Sequence, residues 1–119
     1  MCFSPEASFT ASAVITTVGV VALKKSEDHP SKMLACIPLF FGIQQFAEGM
    51  VWLSLLYDQF LPFKSISTAG FILFAWVVWP FWIPFAIGGI EQNEKRKQII
   101  KWVKYLGLFM TLALGYVLL

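Results

Sequence analysis

The stretch Cys36-Ile-Pro-Leu-Phe-Phe-Gly-Ile-Gln44-Gln45-Phe-Ala-Glu48-Gly-Met-Val-Trp52-Leu-Ser-Leu-Leu-Tyr57 decides how the chain is read. It is a run of apolar and aromatic residues long enough to cross the ~30 Å hydrocarbon core of a bilayer, for which a helix needs about 20 residues. Set into the run are one carboxylic acid, Glu48, and the two glutamines Gln44 and Gln45 one turn before it. A charged side chain at bilayer depth costs about 2.5–3.5 kcal/mol on insertion scales, so such residues face a bundle interior, a wet cavity or a partner. Glu48 is therefore the residue to explain.

Working outward, the rest of the chain repeats the same physics. Of its 119 residues 58% are hydrophobic and only 13% charged, with a mean hydropathy of +0.71, which is too apolar for an ordinary soluble domain. Charged residues are absent or nearly so over residues 7–23, 33–57, 65–90 and 105–119. No stretch shows the alternation of a barrel strand, and backbone groups in lipid must bond internally, so the expectation is all-α. A single multi-pass domain over residues 1–119 is expected, with four transmembrane helices in the cell membrane.

The basic residues orient it. Lys24, Lys25 and Lys32 fall in the first connection, Lys64 in the second, and Lys95, Arg96, Lys97, Lys101 and Lys104 in or just after the third. The first and third connections share a side, which the excess of Lys and Arg marks as cytoplasmic, so both termini are expected outside. Topology and anionic lipid account for the basic cluster after Asn93, and no nucleic-acid partner is expected. The bilayer itself and either a homo-oligomer or a larger membrane complex are the expected partners. Cys2 and Cys36 lie at opposite ends of the first crossing, which excludes a disulfide. Without a basic leader, the first apolar run reads as a span rather than a cleaved signal.

Ser4 can cap the first helix, with Pro5 in its first turn and Glu6 at the positive end of its dipole. Ser8, Ser12 and Thr16 then recur at four-residue spacing, with Gly19 continuing the stripe. Small hydroxylated stripes in lipid serve helix packing, and the other use of this one is a polar wall for a site. The loop of residues 24–32 holds the only histidine, His29, beside Glu27 and Asp28; no second histidine exists to build a nitrogen metal site, and none is expected. On the second helix Phe41, Gln45, Glu48 and Trp52 share a side, with Gln44 adjacent, making a polar patch in an aromatic frame.

Trp76-Val-Val-Trp79-Pro80-Phe-Trp82-Ile-Pro84-Phe85 crowds the third helix. Each proline removes an amide donor and frees a carbonyl four residues earlier, at Trp76 and Pro80, so a kink is expected there. The tryptophans read as an interfacial belt. The fourth helix is expected to start after a cap at Asn93, with Lys101 and Lys104 snorkelling to the headgroups. Gly107, Thr111 and Gly115 give it a small-residue face on which another helix should pack.

Met1-Cys2-Phe3-Ser4 with Ala7-Ser8-Phe9, then Phe40 to Gln45 leading to Glu48-Gly49 and Trp52-Leu53, resembles a family of uncharacterised bacterial and viral membrane proteins that begin Met-Cys-Phe-Ser. Residues 84–91 and the basic turn of residues 95–97 resemble it too, so the likeness runs over nearly the whole chain. It implies a polytopic helical protein, of which this chain resembles the N-terminal half. Family members are about twice as long, with roughly seven helices, and often carry histidine where this chain has Gln44. The resemblance implies no activity.

Three chemistries fit these residues. In an oligomeric channel or transporter, Glu48 binds a proton or cation, with Gln44, Gln45, Ser8, Ser12 and Trp52 around it. In an accessory subunit, or half of a larger bundle, Glu48 is a polar lock that fixes helix register. In a membrane-embedded lipid hydrolase Glu48 serves as acid or base, but the spans offer no aspartate or histidine to assist it, so no catalytic residue is assigned. Heme and chlorophyll lack an axial ligand, and no phosphate loop or catalytic triad is present. No cofactor is expected, bound lipid aside.

Overall fold

The computed structural model describes residues 3–118, and these are helical almost throughout. Helix α1 covers Pro5–Lys25 and α2 His29–Leu56. A 3-10 segment, Asp58–Phe63, leads into α3 (Lys64–Leu73), a π-helical turn (Phe74–Val78) and α4 (Trp79–Ile90) without a break, and α5 covers Glu94–Leu118. Four helical runs, namely α1, α2, the continuous Asp58–Ile90 and α5, are long and apolar enough to cross a membrane.

The ends of these helices follow local chemistry. Ser4 accepts from Ala7 N at 3.1 Å and Pro5 fills the first turn, as the sequence suggests. Asn93 likewise opens α5, its Oδ1 accepting from Lys95 N and Arg96 N. The connection before α2 differs from expectation. Asp28 caps the helix by accepting from Ser31 N, so His29 and Pro30 belong to the first turn rather than to a loop. Proline is at home there because its missing N–H would have no intrahelical partner. The second connection shrinks to Tyr57, since the 3-10 turn accommodates Pro62 and brings Lys64 into the helical run.

α2 is central. α1 lies along it over almost its full length, α3 and α4 pack on it, and α5 packs chiefly on the π turn and α4. The Cα envelope of 54 × 35 × 20 Å is correspondingly flat, a row of helices rather than a closed ring.

Small residues set the α1–α2 register. A Cβ on Gly19 would meet Leu39 N at 2.6 Å, one on Gly42 would meet Thr16 N at 2.9 Å, and one on Gly49 would meet the Phe9 ring at 2.8 Å. Ser12 Oγ donates to Gly42 O at 2.7 Å across the same seam.

On the other side, Gly107 allows α5 to approach the Pro80 carbonyl, which Pro84 cannot satisfy from within the helix. Thr111 Oγ1 donates to Val77 O at 3.0 Å, and Gly115 faces Val77, whose Cγ2 lies 3.9 Å from where a Cβ would stand. The small-residue face of α5 is thus occupied by the chain's own third run. The irregularity expected at the prolines takes the form of the π turn just before Pro80, while α4 continues through Pro84. Lys101 is exposed, and the Lys104 ammonium lies 5.2 Å from the Phe85 ring and beside Gly88, near the end of α4.

Burial runs opposite to that of a water-soluble domain. Among the described residues the buried apolar side chains are Ala35 and Ala86, whereas Ser8, Ser12, Gln44, Gln45, Glu48, Ser54 and Ser67 are all buried. Large apolar groups such as Ile66, Trp102 and Phe109 face out. Water would penalise this arrangement on both counts; a hydrocarbon surround would favour it.

Candidate functional site

Glu48 is 9% exposed and sits just over two turns before the end of α2. Gln45, one turn earlier on the same face, donates Nε2 to Glu48 Oε2 at 3.0 Å. Such a bond holds the carboxyl in one orientation and complements negative charge on it. Because α2 starts at His29, its midpoint is near Gly42, and Glu48 sits six residues, or about 9 Å, toward the Leu56 end.

Beside Glu48 a cavity of about 250 Å³ opens between α2 and α3. Val51, Trp52 and Leu55 of α2 line it with Thr68 and Phe71 of α3. Although Glu48 and Thr68 are among these residues, the surface of the cavity is almost wholly apolar.

The residues singled out from the sequence divide between this site and the packing seams. Glu48, Gln45 and Trp52 come together. Gln44, although adjacent in sequence, turns away, and its Oε1 accepts from Trp79 Nε1 at 2.6 Å, tying α2 to α4. Ser12 is used up in its bond to Gly42 O on the far seam. Ser8 is fully buried, and its Oγ is without a hydrogen-bond partner among the described residues. The antiparallel register that sets Phe9 against Gly49 places Ser8 within about a turn of Glu48 in level.

Sequence reasoning missed Thr68 and Phe71, and it missed the interhelical partners of two tryptophans. The indole N–H groups of Trp79 and Trp82 donate to Gln44 Oε1 and to Met33 O, the latter at 2.9 Å. An indole buried between helices needs an acceptor, and α2 supplies both. The hydroxyl run Ser65, Ser67 and Thr68 at the start of the third apolar stretch was the available signal for a polar wall opposite Glu48.

The end of the molecule that carries most of the basic residues has a different character. Ser31, by its side chain and then its backbone N–H, holds the Asp28 carboxyl below its usual range. Asn93 N, 2.9 Å from Glu91 Oε1, does the same for Glu91, helped by Arg96 at 3.6 Å. Among the described residues no three of His, Cys, Asp and Glu converge as a metal-binding group would. Cys36 is a free thiol on α2, and Cys2 lies outside the described residues, so the expected separation of the two is not addressed.

No curated protein and no solved structure matches the chain. One family model does, and its description, a family of unknown function, agrees with the resemblance to an uncharacterised family seen in the sequence. Since that match runs over residues 1–119, the chain belongs to the family of unknown function DUF6629.

Proposed function

We propose that this is a small multi-pass protein of the cell membrane that works as a channel or transporter, with Glu48 as its proton- or cation-binding group and both termini outside the cytoplasm. The observation that carries it is Glu48 itself, a buried acid on an apolar helix that accepts a hydrogen bond from Gln45 and belongs to the residues lining a cavity. A carboxyl there can hold a proton, and its ionised form can balance a cation at the same place, which is the minimum a coupled pathway needs.

The apolar exterior and the eight basic residues in or beside two of the connections support residence in a bilayer and this orientation. A row of helices encloses no path across one copy, so the function calls for a homo-oligomer or a larger membrane complex. The small-residue face of α5 is already filled from within, and the outward faces of α1 and α5 are the surfaces left for such contacts.

Reconstituted into proteoliposomes, the protein should conduct protons or cations in a pH-dependent way, and Glu48→Gln should abolish that flux. Flux unchanged in the variant overturns the proposal.

A second possibility, an accessory subunit or half of a larger bundle in which Glu48 locks helix register, is favoured by the number of interhelical polar bonds α2 makes. It predicts that the protein co-purifies with a larger complex and that Glu48→Gln weakens that complex with no flux of its own to lose.

A further inference from the structure

We propose that the outward face of α5 holds one anionic phospholipid, its phosphate between Lys97 and Lys101 and its chains along the apolar part of the same face. This goes beyond the role given to Glu48 and is independent of it.

Residues 94, 97, 98 and 101, then 102, 105, 109 and 112, fall on one side of α5 at helical spacing. All of them are exposed. Along the axis that side changes as a phospholipid does from head to tail. Lys97 and Lys101 come first, about one turn apart. Trp102 and Tyr105 follow, 73% and 57% exposed, with ring centroids 6.4 Å apart edge to face. Aromatic residues of this kind gather at the headgroup boundary. Phe109 and Leu112 continue the face as pure hydrocarbon. Trp102 to Leu112 covers about 15 Å at 1.5 Å per residue, the depth of one leaflet's apolar layer. At Leu112 the face runs into a groove of about 450 Å³ against Leu73 and Val77, which leaves room for chain ends.

Charge selects the occupant. Residues 94–101 carry four cations, Lys95, Arg96, Lys97 and Lys101, against one acid, Glu94. Glu94 lies 3.0 Å from Lys97 in an exposed pair, which is weak enough for a phosphate to displace. The Lys101 ammonium has no hydrogen-bond or ion-pair partner among the described residues. A second copy fits badly here. Copies in one membrane point the same way, so a contact between two α5 faces would set Lys97 and Lys101 beside their own counterparts. A zwitterionic lipid brings a cation of its own to that place. An anionic one matches the face at both ends.

The test uses the full chain in nanodiscs of equal parts phosphatidylglycerol and phosphatidylcholine, released into a native mass spectrometer. Expected is one retained lipid per chain, with phosphatidylglycerol preferred at least about tenfold. Lys97→Gln and Lys101→Gln should each lower that preference about fivefold, the weight of one basic side chain at an anionic surface. Lys25→Gln removes the same charge from the exposed end of α1, at the same end of the molecule, and should leave the preference unchanged. A second readout locates the lipid. Phosphatidylglycerol brominated in its chains should quench tryptophan fluorescence more than brominated phosphatidylcholine does, and Trp102→Phe should remove the difference.

Three results overturn the inference. Equal retention of the two lipids means that the face does not select. An equal loss in Lys25→Gln means diffuse attraction by the whole basic end. A quenching difference that survives Trp102→Phe means that the lipid is held elsewhere.

Discussion

The two outer helices dock on the middle of the molecule by different means. α1 meets α2 along a regular helix, where Gly19, Gly42 and Gly49 let backbone and ring approach and Ser12 adds one bond to an already satisfied turn. α5 meets a run that its own prolines have interrupted, and there Gly107 and Thr111 come up against carbonyls of the irregular turns. Small residues serve both seams. On both they create closeness and one hydroxyl donates to a facing carbonyl; on the second, that carbonyl, Val77 O, belongs to the π turn, and Gly107 makes room for the Pro80 carbonyl that Pro84 frees.

Substitutions can break this contrast. The largest effect is expected from Gly42→Leu, because the side chain would run into the Thr16 backbone at the centre of the most extensive contact. We expect a loss of about 3 kcal/mol, the upper end for overpacking, measured by denaturant titration in detergent micelles. Gly107→Val should cost somewhat less, about 2 kcal/mol, since α5 is peripheral and can shift outward. Equal or greater damage at Gly107 would mean that α5 is as deeply committed as α1.

Single hydroxyls sharpen the comparison further. Thr111→Val removes a donor from the interrupted run and should cost about 1 kcal/mol, whereas Ser12→Ala, on an intact helix, should cost about 0.6 kcal/mol. A larger loss for Ser12→Ala in the same titration would reverse the proposed distinction.

The smallest effect concerns the connections. Asp28 and Glu91 have carboxyls held below their usual range, so what they add to the helix starts is fully present above that range. It is lost as pH falls through their lowered values. Protection factors at Ser31 and Asn93, taken relative to the intrinsic exchange rate at each pH, should fall on acidification while that at Gly42 stays high; unchanged protection at all three would contradict this.

Glu48 was legible in the sequence because an acid in an apolar run is a local anomaly, and so were the caps at Ser4 and Asn93, which depend on neighbours three residues away or fewer. The partners of Gln44 and Thr68 were not. Periodicity reports which residues share a helix face, but the helix that stands opposite that face is chosen by packing along the whole chain. The same limit hid the interhelical acceptors of Trp79 and Trp82.

What the sequence by itself determined is the number of long apolar helices and most of their ends, since hydrophobic run length and capping chemistry are local quantities. Tertiary structure alone decided how the polar residues of α2 are shared out. Gln44 and Gln45 point about 100° apart on the helix, so one reaches Trp79 on α4 and the other Glu48 beside the cavity. Only the placement of α3 and α4 around α2 gives that angle a consequence.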